Sequence, residues 1–539
     1  MTAETLSVPA QPGADPAVVA GPAAGPRSPV RRLWARTLRR SVFVPLIVLS
    51  PLVALAPTAD HRFNVYAAGA LYRRNPLRIG PDSLHEVPTY LRLGNFRPLG
   101  RMLEKALDLA VFLLGDLFGL PTNVALRLVS FGAAIVLTLL AVLLAESLLN
   151  RDRLFATPPS TVAALVPYAV GGAFIAAGVT STTVLFGALY LLTTALVLAV
   201  SVLACRVVTP WRRRLGWWRG LLAVVLGAGL AAFNELGYLA VPLVTAAVLI
   251  RGRCVLGLSW RRTCTGPGVR LAGLIWLGFL PVVGLVRAII HGYCAIRLCY
   301  RGSSVALDGV AETGPVRLLS WLPPLGWQQA GYGGHRPWLV GLLPALALVA
   351  FAILAWRTAR DLPLLSTVDR RQALGVAATG LVLLVLAGGL AALNADVQAY
   401  VAAGRWGLGW RDSGATAVGG MLVVLGLVLA VVVRPAARRW LVPVLLALLV
   451  LSAAVTVAAN RRFAGILAQR ASSELDNRIA LEVTDFDTSG AGNARRCELL
   501  QEALTRYANS PTSFRRYPQT LDLVAQRKAG RPFCVPDGR

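Results

Sequence analysis

Arginine is distributed along this chain in a repeating pattern. Apolar stretches long enough to cross a bilayer alternate with loops, and every second loop is rich in arginine. A bilayer core is ~30 Å thick, so a spanning helix needs ~20 apolar residues. Lipid-exposed backbone must bond within its own segment, which makes such spans helical. Arginine and lysine collect in the loops that stay inside. The alternation therefore predicts an all-α polytopic membrane protein with about eleven transmembrane helices, its N-terminus inside and its C-terminus outside.

The spans fall near 42–57, 124–149, 161–179, 181–205, 219–233, 237–250, 271–290, 337–356, 373–393, 415–433 and 440–459. The inner loops then carry Arg151 and Arg153, Arg206 and Arg212 to Arg214, Arg251 to Arg262, Arg357 to Arg371, and Arg434 to Arg439. The pair 219–233 and 237–250 is short and flanks Asn234-Glu235. It reads as two spans or as a re-entrant pair, and either keeps the register of every later loop.

Composition agrees with a membrane protein. Hydrophobic residues make up 56% of the chain and charged residues 15%, against ~45–50% and ~25% in soluble domains. The net charge of +28 is accounted for by topogenic arginine. No compact basic domain with a nucleic-acid motif is present, so nucleic acid is not an expected partner. P-loop and dinucleotide fingerprints are absent, which argues against nucleotide chemistry inside the cell. The excess of Arg over Lys, with abundant Ala, Gly, Leu and Val, resembles high-GC actinobacterial usage.

Three regions follow. Residues 1–40 are an N-terminal cytoplasmic tail, rich at first in Pro, Ala and Gly and expected to be disordered. Residues 41–459 form the transmembrane domain, whose first outer loop covers 58–123. Residues 460–539 form an extracytoplasmic C-terminal domain, soluble and partly helical. The first apolar segment follows Arg36, Arg39 and Arg40 and is expected to be an uncleaved anchor. Within the first outer loop, Leu103 to Leu120 is apolar with Glu104, Lys105, Asp108 and Asp116 interspersed, the pattern of an interfacial helix.

Cysteine placement fits an oxidising exterior. Cys294 and Cys299 share one outer loop, and Cys497 and Cys534 share the outer tail, so each pair is expected to form a disulfide. Cys205, Cys254 and Cys264 fall inside. No zinc-ligand spacing occurs.

The candidate chemistry gathers outside. The loop 58–123 lies on the side that should be poor in arginine. It nevertheless holds Arg62, Arg73, Arg74, Arg78, Arg92, Arg97 and Arg101. Asp60 follows the first span almost directly, where a carboxylate can act on a lipid-linked substrate as general base or help hold a divalent cation. Asp82 and Glu86 are further carboxylates of the same loop. Arg73, Arg74, Arg97 and Arg101, with His61, are candidates for holding phosphate, since guanidinium groups bond it in pairs. Structural salt bridges are the competing role for each of these charges. All four histidines, His61, His85, His291 and His335, are predicted outside, as are Trp321, Trp327, Trp338, Trp406 and Trp410. Trp321, Trp327, Trp406 and Trp410 are candidates for stacking on a sugar or lining a groove, Trp327 and Trp406 foremost, the alternative being an aromatic belt at the interface. Glu235 is a candidate binding residue near the membrane, where a carboxylate is costly unless it pairs or works. Arg287 is one partner open to it.

This layout resembles the C-type glycosyltransferase superfamily of integral-membrane enzymes. Its members have many spans, a long first outer loop with an acidic residue soon after the first span, an interfacial helix there, and often an outer C-terminal domain. The stretch Gly94-Asn95-Phe96-Arg97-Pro98-Leu99-Gly100-Arg101 is similar to Arg-Pro-Leu segments in the first loop of some bacterial members. The resemblance implies transfer of a sugar from a polyprenyl-phosphate carrier to a cell-envelope glycan or protein acceptor at the plasma membrane, with Asp60 as first choice for the catalytic acid or base and Asp82 and Glu86 behind it. The family often has an adjacent acidic pair in this loop, whereas this chain has isolated acids, and the cofactor stays open. Two other readings remain: a transporter or lipid flippase, for which no internal repeat is found, and a non-catalytic scaffold for envelope assembly.

Overall fold

The computed structural model describes residues 29–58, 60–150, 154–207, 216–296, 299, 305–331, 341–431 and 435–536. The expected N-terminal tail lies outside this set up to residue 28, as do His335, Trp338, Arg151, Arg153, Arg212 to Arg214 and Arg434. The described residues form an all-α structure with 22 α-helices. No strand occurs among the described residues, where β-pairing is confined to two isolated bridges.

Eight helices among the described residues are long and apolar enough to cross a membrane: Thr122–Leu149, Gly187–Val207, Glu235–Val255, Pro267–Cys294, Leu342–Leu364, Arg370–Ala392, Ser413–Val431 and Arg439–Ala468. The other three expected spans differ for local reasons. The helix Pro29–Leu49 begins well before residue 42, so residues 29–40 are helical rather than part of a disordered tail. Its first half carries Arg31, Arg32, Arg36, Arg39 and Arg40, while Leu33, Trp34, Thr37 and Arg40 are buried. Thr161–Gly172 and Trp217–Ala231 are apolar but short. The first ends at Gly171-Gly172, and the chain then runs without helix to Phe186. Around Asn234 the chain turns between the helices Trp217–Ala231 and Glu235–Val255: the Asn234 side chain accepts from Gly237 N and donates to Thr193 Oγ1 at 2.9 Å.

Large apolar side chains stay exposed along the outer helices, among them Leu277, Leu280 and Leu285 and, on another helix, Leu346, Val349 and Ile353. An apolar face of this extent is expected to meet lipid rather than water.

The bundle has two ends. At one, Arg36 and Arg40 both pair with Asp361, and Glu146 accepts from Ser160 N at 3.0 Å. At the other, three non-helical segments meet: 53–58, 173–186 and 403–412. Buried polar side chains bond their backbone. Arg127 is 1% exposed and donates to the carbonyls of Leu55, Ala56 and Val184 at 3.3, 3.0 and 2.9 Å. Asn460 accepts from Ala176 N and donates to the carbonyls of Val48 and Phe174. Arg317 donates to Leu408 O and holds Asp412 through both carboxylate oxygens at 2.7 and 2.9 Å. Irregular backbone survives at membrane depth only when its polar groups are met in this way.

The C-terminal region docks on the first loop. The helices Ala471–Thr484, Gly490–Arg506 and Pro511–Ala529 enclose Leu475, Ile479, Leu499, Leu521 and Phe533. The helix His61–Tyr72 contributes Phe63 and Tyr66 to the same core. Asp476 is the polar centre of this contact. It accepts from Arg62 Nε at 2.8 Å, from Tyr507 Oη at 2.8 Å and from Tyr517 Oη at 3.2 Å. Burial pushes its carboxyl above the usual aspartate range, against the pull of Arg62. Cys497–Cys534 and Cys294–Cys299 are both disulfides.

Removing one partner of a buried ion pair strands the other, at a cost of ~3–5 kcal/mol. Asp476→Ala should therefore loosen the C-terminal helices from the first loop. Limited proteolysis should cut within residues 471–536 many times faster in the variant while the apolar bundle stays protected; an unchanged rate would mean that Asp476 does not hold the contact.

Candidate functional site

The non-helical end of the bundle contains a cavity of about 310 Å3. Its walls come from the first loop and from the segments around residues 186 and 411. Asp60 lies at the start of the helix His61–Tyr72 and is exposed; its side chain makes no capping bond. No hydrogen bond or ion pair to its carboxylate is found among the described residues, yet it lines the cavity.

Beside it the buried groups are arranged by the helix Pro98–Phe118. Glu104 and Asp108, one turn apart, face inward. Leu113, Leu117 and Phe118 face outward, the last two 76% and 64% exposed. The helix thus buries Glu104 and Asp108 beside Leu109 and Val111 and leaves apolar side chains of its C-terminal part exposed, as an interfacial helix can. His61 Nδ1 lies 2.9 Å from Asp108, and the His61 ring packs on Phe186 with centroids 4.5 Å apart. Burial pushes the Asp108 carboxyl up; His61 opposes this, and Glu104 and Asp60 add to it. Burial also works against charge on Glu104, but Arg101, Arg97 and His61 outweigh it and hold that carboxyl below the usual range. Two neighbouring acids are thereby pushed apart, an arrangement suited to dividing acid and base roles.

The arginines are placed by the stretch from Gly94 to Arg101. Gly94 has φ +79° and packs on the Cys294–Cys299 disulfide, so a side chain would be both strained and crowded there. Gly100 sits against Phe233 O, where an added Cβ would come within 2.3 Å. Its N–H, with that of Leu99, donates to the carbonyls of Phe233 and Ala232 that end the helix Trp217–Ala231. Arg97, between these anchors, and Arg101, directly after the second, both line the cavity. Arg101 bonds Glu104 at 2.8 Å and stacks over Tyr90 at 4.5 Å.

The far wall holds residues that sequence reasoning missed. Arg411 lies over Trp410 and Tyr190, at 5.0 and 5.8 Å from their ring centroids. Its position is set by the neighbouring Arg317–Asp412 pair. Phe186 lines the cavity with φ +45°, a conformation that costs an aromatic residue ~1–3 kcal/mol and persists only where surrounding structure enforces it. A second cavity of about 210 Å3 shares Tyr190 and Arg411 with the first and is also lined by Glu235, Arg287 and Trp410. Glu235 and Arg287 face this same space but form no ion pair with each other among the described residues.

Other candidates lie elsewhere. Asp82 is set against the Tyr72 hydroxyl; burial and then the Asp82 charge push that hydroxyl up to about 12. Glu86 pairs with Lys105 at 2.9 Å, and Arg73 pairs with Asp116 at 2.8 Å. Arg74 is exposed outside both cavities. Trp327 donates to Thr456 Oγ1 and packs against the core. Trp406 is 55% exposed and lines neither cavity. Among the described residues no group of three His, Cys, Asp or Glu side chains is placed to hold a metal ion. Comparison with protein-family models, with curated proteins and with solved structures gives no match.

The opposed shifts of Asp108 and Glu104 have a spectroscopic consequence. On acidification Asp108 should protonate first, at a pH where an ordinary aspartate is still ionised. Infrared difference spectra should lose a protonated-carboxyl band in Asp108→Asn and keep it in Glu104→Gln; the reverse pattern would contradict the assignment.

Proposed function

We propose that this chain is a membrane glycosyltransferase that moves a sugar from a polyprenyl-phosphate carrier to a cell-envelope acceptor. The observation that carries this reading is the convergence on one cavity of the exposed Asp60 carboxylate, three arginines and two tyrosines. In this reading the eight long spans are joined by Pro29–Leu49, Thr161–Gly172 and Trp217–Ala231 to make eleven crossings of the plasma membrane. The N-terminus is then inside, and the Asp60 end and the C-terminal helices are outside.

The chemistry assigned to the site is a single displacement. The Asp60 carboxylate accepts the proton of the acceptor hydroxyl as its oxygen attacks the anomeric carbon. The bond from that carbon to the carrier phosphate breaks, and the phosphate leaves with the bonding pair. Arg97, Arg101 and Arg411 stabilise the charge that develops on it. Tyr90 and Tyr190 offer faces for the sugar ring. The adjoining cavity at Glu235 and Trp410 gives the acceptor room beside the donor.

The test is transfer of radiolabelled sugar from a panel of polyprenyl-phosphate donors by the purified full-length protein. General acid–base groups contribute ~10²–10⁴-fold, so Asp60→Asn should lower transfer by at least roughly a hundredfold with expression and thermal unfolding unchanged. Full activity in that variant would remove Asp60 from the site, and no transfer from any donor would overturn the proposed function.

A further inference from the structure

The opposite end of the bundle holds a second concentration of charge that the transfer reaction does not use. The helices Pro29–Leu49 and Leu342–Asp361 pack side by side there and enclose a cavity of about 430 Å3. One helix contributes Arg36, Arg39 and Arg40, the other Arg357 and Arg360. Asp361 is the single carboxylate in the lining, and Arg36 and Arg40 already share it. The cavity therefore has a large excess of positive charge. Positive-inside topology explains arginine in a loop; it does not explain five arginines from two helices, more than three hundred residues apart in sequence, turned onto one space.

Two details point to an occupant. Arg40 is 4% exposed, and its second terminal nitrogen, Nη1, is buried with no hydrogen-bond partner among the described residues. A buried guanidinium N–H left unbonded is costly, and an anionic oxygen in the cavity would meet it. The second detail is the apolar rim. Phe43 and Trp356 line the cavity and are 50% and 54% exposed, and Arg360 stacks over Trp356 at 3.7 Å. From Trp356 the exposed apolar surface continues along its helix through Ile353, Val349 and Leu346, the direction that a chain descending into the bilayer would take.

We propose that this groove binds the headgroup of an anionic phospholipid, with the phosphate held by the arginines and one acyl chain lying along the Ile353 face. Basic pockets between spanning helices, at the level of the headgroups, bind such lipids by paired guanidinium–phosphate bonds. A free phosphate would satisfy the arginines but leave the apolar track unused. The groove is separate from the Asp60 cavity, and the proposal does not depend on the sugar-transfer reading.

The test is retention of defined lipids by the full-length protein in detergent, read by native mass spectrometry with phosphatidylglycerol and phosphatidylcholine offered together. Arg357→Gln/Arg360→Gln leaves the Asp361 pairs intact. Arg261→Gln/Arg262→Gln removes the same charge from an exposed position in another loop. Wild type should retain phosphatidylglycerol roughly tenfold over phosphatidylcholine; the first variant should lose that preference and the second keep it. Equal retention of the two lipids, equal loss in both variants, or full displacement of the lipid by inorganic phosphate at the same concentration would each overturn the proposal.

Discussion

The candidate site depends on how Arg127 is bonded. Three segments at the Asp60 end run without regular secondary structure, and their carbonyls cannot turn to water inside a bundle. One guanidinium, fully enclosed, donates to three of them and joins residues 55, 56 and 184 in a single contact. Hydrogen bonds to charged groups contribute ~1.5–3 kcal/mol each, so the arrangement repays much of the desolvation of Arg127. Asp60 follows this clamp by only a few residues, and Phe186 lies just past it on the other strand of chain. Asn460 and the Arg317–Asp412 pair repeat the device for the segments around 176 and 408. The rim of the cavity is thus rigid because its backbone is bonded by side chains from the spanning helices.

Much of the architecture was legible from the spacing of apolar residues and arginine. The helical class, the membrane character and the existence of the eight long spans follow from period and length, although their ends do not: the expected 440–459 is observed as Arg439–Ala468, and 337–356 as Leu342–Leu364. What spacing could not show was the shortness of Thr161–Gly172. The residues from Phe174 to Val179 are as apolar as a helix would need, and tertiary bonds to Asn460 and Gly409 hold a non-helical path there instead. The docking of the C-terminal helices was equally hidden, because Arg62 and Asp476 lie 414 residues apart and neither is unusual in its own segment.

The candidate site was legible in part. Asp60, Arg97 and Arg101 meet in one cavity, and the glycines of the Gly94–Arg101 stretch explain why that segment can hold them. Glu104 and Asp108 were visible only as two of four charges, with Lys105 and Asp116, interspersed in an apolar stretch. The pattern did not show that these two turn inward, because that depends on what the helix lies against. Arg411 and Tyr190 carry no local signal at all. A lone arginine near the end of an apolar span, as at Arg127, is a signal in the sequence: such a charge is costly unless it bonds backbone or partner.

The most direct test of this account is an experimental density map of the full-length protein with a polyprenyl phosphate bound in a lipid nanodisc. The account predicts phosphate density in the Asp60 cavity, within hydrogen-bond distance of at least two of Arg97, Arg101 and Arg411. Phosphate bound only at the Asp361 end, or an Asp60 carboxylate turned away from an occupied cavity, would contradict it.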